Sequence, residues 1–151
     1  MMIGDEEVPI DGLSCQTVIT KCLGSGDAWV DALKESATAG FNSVHFTPVQ
    51  RLGLSGSSYS LYHQHQLTDQ LLLKTSPEEQ QLGEQEREQR KEERLRSIVR
   101  ELEREHGLLS FSDVVWNHTA VNSPWLREHP EAGYAVENCP HLVSAYELDV
   151  A

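Results

Sequence analysis

Residues 95–118 read LRSIVRELEREHGLLSFSDVVWNH, and this stretch decides the fold. Leu95, Ile98, Val99 and Leu102 recur at i, i+3, i+4 and i+7, which is one apolar stripe along a helix. Gly107 supplies a left-handed stop. Leu108 to Val115 then reads as a strand. Upstream, Ser76-Pro77-Glu78-Glu79 has the form of the helix start, with proline at the first helical position and acids in the first turn. The same plan occurs earlier in the chain. Asp27 is placed to cap a helix running to about residue 39, with Trp29, Leu33 and Ala37 on one face. Gly40 stops it, and Phe41 to Thr47 reads as a strand. Leu13 to Leu23, which holds Thr17-Val18-Ile19, is an earlier strand candidate. A repeated order of helix, glycine and strand is the grammar of a parallel α/β fold. The expectation is three strands and two crossover helices.

The connections differ in length. Helix-to-strand joints are short, whereas long segments follow the strands at 48–76 and beyond 115. Parallel α/β folds place their sites on loops at the C-terminal ends of strands. Functional residues are therefore expected in 48–75 and 113–146. The polar run Gly83 to Arg94 contains no apolar residue and reads as a solvated helix extension, with Glu86–Arg90 as a favourable i,i+4 pair. It lacks the a/d seam that a partner-binding coiled coil needs.

Composition bounds the function. The chain has 151 residues, 24 acidic and 12 basic, a net charge of −12 and a hydrophobic share of 38%. That fits one domain with a real core. A pI near 4.9 argues against nucleic acid as the main ligand, because phosphate binding needs a basic face. No stretch approaches the roughly 20 apolar residues of a membrane span. The start MMIGDEEVPIDG is acidic and does not resemble a signal peptide, so a cytoplasmic location is expected. Cys15, Cys22 and Cys139 form no CxxC and read as buried thiols rather than disulfides or zinc ligands.

Four residues could carry chemistry. Alternation places Leu109, Phe111, Asp113 and Val115 on one strand face, and a carboxylate there needs partners. Asn117 and His118 fall where the strand gives way to a loop. The trio suits a sugar hydroxyl, since the imidazole donates and the carboxamide both donates and accepts. It equally suits a capped strand end. Tyr59, in the loop Gly53 to Leu61, is either a ring that stacks on a sugar face or an ordinary surface tyrosine. That loop lacks the lysine and helix start of a phosphate cradle and the GxSxG of a nucleophile elbow. His63-Gln64-His65 would point two imidazoles the same way on a strand but has no neighbouring carboxylate or thiol, so no metal is expected. Gly24-Ser25-Gly26 lacks the third glycine of a dinucleotide loop and reads as a turn. No cofactor is indicated.

Several runs carry a resemblance: His45-Phe46-Thr47-Pro48, Leu52-Gly53, Ser57 to Leu61, Asp113 to Ala120, Asn122 to Leu126, Glu128 to Tyr134 and Asn138 to Leu142. From about Val8 onward the chain resembles the N-terminal 4-α-glucanotransferase domain of eukaryotic glycogen debranching enzymes, relatives of the α-amylases. DVVxNH alone would indicate only the wider α-amylase family; the run from HFTP through NCPHL is more specific. The resemblance implies a (β/α)8 barrel that cleaves α-1,4 bonds with retention, with residues 1–151 its N-terminal part. In that division, 1–12 is an acidic lead-in, 77–106 a long polar helix, and only the first three βα segments are present. The implied substrate is glycogen or another branched α-glucan. The implied substrate-binding residues are Asp113, Asn117, His118 and, through the SxYSL loop, Tyr59. No catalytic residue is assigned here, because the family's nucleophile and acid/base come from later strands. Residues 62–67 read as an insertion between YSL and DQL. Without the resemblance, the residues leave open a non-catalytic glucan-binding module, with Tyr59, Trp116 and Trp125 as a stacking platform, or a scaffold built on 77–106.

Overall fold

The structure is a computed structural model and describes residues 2–3, 6–72 and 77–151. Ser76, expected ahead of the long helix, lies outside the described residues, as do Met1, Gly4 and Asp5 of the acidic lead-in. Strands β1 (Met2–Ile3) and β2 (Glu6–Glu7) form a short antiparallel ladder. The central elements are β3 (Cys15–Val18), α1 (Trp29–Thr38) and β4 (Ser43–Phe46). A hairpin follows, β5 (Gln50–Leu52) and β6 (Leu61–Leu67), then α2 (Pro77–Gln81), α3 (Glu84–His106) and β7 (Leu109–Ser112). Helices α4 (Pro124–Glu128) and α5 (Val143–Asp149) close the chain.

The three expected strands form one parallel sheet in the order β3-β4-β7. Thr17, His45 and Phe111 share a row, and Val18, Phe46 and Ser112 share the next. Helix α1 crosses from β3 to β4 and α3 from β4 to β7, and the two helices pack on each other. The core lies between them and the sheet. Trp29, Leu33, Val44, Phe46, Ile98, Leu102 and Leu108 are all buried there. Trp29 stacks on Phe46 at 6.1 Å between ring centroids, and its indole N–H donates to the Gly24 carbonyl. Gly40 and Gly107 end their helices at φ +93° and +63°, as read from the sequence. At Gly107 the Leu108 N–H reaches back to the Leu102 carbonyl, 2.9 Å away, and turns the chain directly into β7.

Some local expectations are corrected. Asp27 does not cap α1: a 3-10 turn over Gly26–Ala28 precedes the helix, and the Asp27 carboxylate pairs with Ser25 instead. Gly26 of that turn is buried, against the Gln70 carbonyl and Leu71. The long helix is split, with α2 ending at Gln81 and α3 starting after Gly83, whose N–H donates to Glu86. Glu86 is thus engaged at the helix start, and Arg90 pairs with Glu93 rather than with Glu86. The polar run is not wholly solvated either. Lys91 is 3% exposed, pairs with Asp69 and Glu88 and donates to the Leu67 carbonyl, while Glu88 accepts from the Leu67 N–H. These contacts tie α3 to the end of β6.

The segment expected as a long loop after β4 holds the β5–β6 hairpin, and residues 62–67 form most of β6. Cys15 and Cys22 are exposed and Cys139 is half-buried, not buried. Cys15 and Thr17 are both exposed and alternate along β3 with Val18, which packs against the core. Strand β7 stops at Ser112, so the alternation lapses: Val115 is buried while Phe111 is exposed. No helix among the described residues is long and apolar enough to cross a membrane.

Candidate functional site

The site begins where β7 ends. Asp113 is the first residue past that strand, at the C-terminal edge of the sheet, and its N–H reaches the Phe46 carbonyl. Its carboxylate sits 2.9 Å from His45 Nε2. His45 stands two rows back on β4, in register with Phe111, and its Nδ1 lies 3.2 Å from the Thr17 hydroxyl on β3. A single neutral tautomer satisfies all three groups: Thr17 O–H donates to Nδ1, and Nε2–H donates to Asp113. The Tyr59 hydroxyl donates to the same carboxylate from the hairpin loop. The His45 bond, then the Tyr59 bond, hold the Asp113 carboxyl below the usual carboxylate range. In turn, Asp113 raises the Tyr59 phenol above its ordinary value. Asp113 thus stays an anion, fixed from two sides, and keeps about a third of its side chain open to solvent.

Asn117 and His118 belong to the loop that follows. His118 Nε2 lies 3.0 Å from the Tyr59 carbonyl, and its Nδ1 3.0 Å from Asn117 Oδ1. The next residues run along the hairpin loop. Thr119 O–H and Ala120 N–H both donate to the Leu61 carbonyl at 2.8 Å, and Asn122 accepts from the Leu54 N–H. Gly53 makes this approach possible. A Cβ there would fall 2.3 Å from the Ala120 Cβ and 2.7 Å from Asn122 Oδ1, closer than real side-chain carbons come. The loop after β4 and the loop after β7 are therefore locked together. Lys21, from the loop after β3, donates to the Gly56 carbonyl and adds a third contact.

Beside this lock lies an open cleft of about 670 Å³, within the range of small-molecule sites. Asn117 and His118 line it, as do Trp116 and Trp125; Asp113 and Tyr59 do not. All four residues singled out in the sequence therefore meet around two adjoining places. Asp113 and Tyr59 share one carboxylate cluster, while Asn117 and His118 face the cleft and touch that cluster through the Tyr59 backbone. Sequence reasoning missed His45 and Thr17 as members. The available signal was a histidine in alternation on a buried strand, at the same row as a threonine in the neighbouring strand. No group of three or more metal-ligating side chains occurs among the described residues.

A profile of the family described as "Glycogen debranching enzyme, glucanotransferase domain" matches residues 6–151. The chain belongs to that family. Glycogen debranching enzyme of Saccharomyces cerevisiae is 42% identical over 149 residues, which cover 99% of this chain and 8% of that protein. The chain thus spans only a small part of its curated relative.

Proposed function

We propose that this chain supplies part of the sugar-binding wall of a 4-α-glucanotransferase that acts on glycogen or another branched α-glucan in the cytoplasm. The carrying observation is the cluster at the strand ends, where Asp113, just past β7, receives His45 from β4 and Tyr59 from the loop between them. The sheet supports the same reading. Its strands follow chain order and its crossover helices pack together, as in the first three units of a (β/α)8 barrel. Sites in such barrels form at the C-terminal strand ends.

In this reading Asp113, Asn117, His118 and Tyr59 bind substrate. Donors and acceptors at fixed positions suit sugar hydroxyls. Asp113 is not the nucleophile. A retaining pair needs two carboxyl groups about 5–5.5 Å apart, flanking the bond, and Asp113 has a histidine and a tyrosine as its partners. In this reading the nucleophile and the acid/base come from other elements of the barrel.

Maltose titration of the isotope-labelled chain tests this reading. The ring resonances of His118 and the indole N–H of Trp116 are expected to move saturably, and His118→Ala to remove the response. An unchanged response in His118→Ala overturns the assignment. The chain alone is expected to transfer no glucan, and transfer products from the purified chain would overturn that part.

A further inference from the structure

Neither Thr17 nor His45 is among the four residues proposed to bind substrate, yet both stand behind Asp113. Thr17 on β3, His45 on β4 and Phe111 on β7 share one row of the parallel sheet, and Asp113 lies just past the end of β7. Hydrogen bonds cross this row in series. Thr17 Oγ1 is 3.2 Å from His45 Nδ1, His45 Nε2 is 2.9 Å from Asp113 Oδ1, and the Tyr59 hydroxyl reaches the same carboxylate from the hairpin loop. An ionised carboxylate only accepts, so His45 donates from Nε2. A half-turn of the ring about its Cβ–Cγ bond would exchange Nδ1 with Cδ2 and Nε2 with Cε1, and both bonds would be lost together. Without the Thr17 hydroxyl the turned ring forfeits only one. Thr17 therefore favours the ring orientation that serves Asp113. Its hydroxyl carries no charge and meets the series only at His45. Among the described residues, His45 and Tyr59 are the titratable groups that act on Asp113, and Asp113 is the one that acts on Tyr59.

We infer that Thr17 and His45 are positioning residues, which aim the Asp113 carboxylate and through it fix where the Tyr59 side chain stands. Tyr59 is 42% exposed on its loop, so packing alone holds its ring weakly and the bond to Asp113 decides its direction. A side chain ordered before the ligand arrives loses less freedom on binding. Neither positioning residue has to touch the substrate. The inference rests on the binding role proposed for Asp113 and Tyr59, and it adds the two side chains that set their geometry.

Thr17→Val in the full chain tests this, because valine keeps the β-branched shape that suits a strand and removes the hydroxyl. Thr17→Ser keeps the hydroxyl and serves as the conservative variant. Three signals are followed by NMR: the Asp113 carboxyl midpoint, the Tyr59 phenol midpoint and solvent exchange of the His45 Nε2–H proton. In Thr17→Val the Asp113 midpoint is expected to rise, the Tyr59 midpoint to fall as the carboxylate turns away from it, and the His45 proton to exchange faster. Thr17→Ser is expected to match the parent. Midpoints in Thr17→Val equal to those of the parent overturn the inference. A Tyr59 midpoint that stays or rises overturns it too, since Asp113 then holds Tyr59 without help from His45. Thr17→Ser shifting as Thr17→Val does also overturns it, since the strand rather than the hydroxyl is then responsible. A maltose titration separates this inference from the binding role beneath it. Thr17→Val is expected to weaken maltose about threefold, the scale of one side chain left to be ordered on binding. Equal binding by parent and variant overturns the positioning role and leaves the binding role standing. Shifted midpoints with no maltose response in the parent overturn the binding role, and with it the claim that the aim of Tyr59 serves substrate.

Discussion

Substituting Gly53→Ala tests the lock between the two loops. The added methyl falls 2.3 Å from the Ala120 Cβ and 2.7 Å from Asn122 Oδ1, against a favourable carbon–carbon separation of about 3.5–4.0 Å. Ala120 is 2% exposed and cannot simply swing outward. Overpacking of this kind costs about 1–3 kcal/mol. Displacing Asn122 also breaks its bond from the Leu54 N–H, about 1 kcal/mol more. The sum is about 2–4 kcal/mol, or at least about thirty-fold in the folding equilibrium. Urea unfolding followed through Trp29 fluorescence measures it. Hydrogen exchange at Leu54 and Ala120 locates it, because both amides bond across the lock. Ala120→Gly removes the atom in closest conflict, so the double variant is expected to recover about 1 kcal/mol or more as a coupling term. A Gly53→Ala chain within about 0.5 kcal/mol of the parent, or strict additivity in the pair, would refute the packing argument.

Three further outcomes are expected. Asp113 has a lowered pKa in the folded chain, so its pairing contributes above the unfolded value of about 3.9 and is lost as pH falls through the folded value. Tyr59→Phe and His45→Gln should each raise the Asp113 midpoint in a carbon-detected NMR titration, and an unmoved midpoint sinks the cluster. Tyr59 shows the opposite sign: its raised pKa means its contribution holds below the ordinary value near about 10 and is lost as pH rises through the folded one. Lys91→Ala strands Glu88 and Asp69 and frees the end of β6 from α3; since both carboxylates keep some solvent access, the loss is expected at about 1–3 kcal/mol by chemical denaturation, and a loss confined to a few tenths would contradict the burial of that ammonium. Gly107→Ala forces a side chain into φ +63° and should cost about 1–2 kcal/mol with no steric clash, because nothing lies within 4 Å of the new carbon; a neutral melt would argue against the left-handed turn.

Much of the fold was legible because its signals are local. The apolar stripe of α3 and the stops at Gly40 and Gly107 each act within a few residues: Ile98 and Leu102 are buried, Leu95 packs half-buried against the core, Val99 is half-buried, and both glycines take positive φ. Misread features depended on distant partners. Gly83 to Arg94 looks solvated until the end of β6 arrives to bury Lys91. Asp27 looks like a cap until Gly26 packs against Gln70 and Leu71 and a 3-10 turn precedes the helix.

What the sequence determined alone was the parallel α/β class, the two glycine-terminated crossovers and the candidacy of Tyr59, Asp113, Asn117 and His118. Backbone preference and periodicity are properties of neighbours along the chain, so they can be read in order. Only the tertiary structure decided which of those candidates touch. It placed Asp113 against His45 and Tyr59, and set Asn117 and His118 in the cleft with the two exposed tryptophans. Those contacts span separations such as the 59 residues between Tyr59 and His118. Pairings of that range follow from packing of whole elements, which no local pattern encodes.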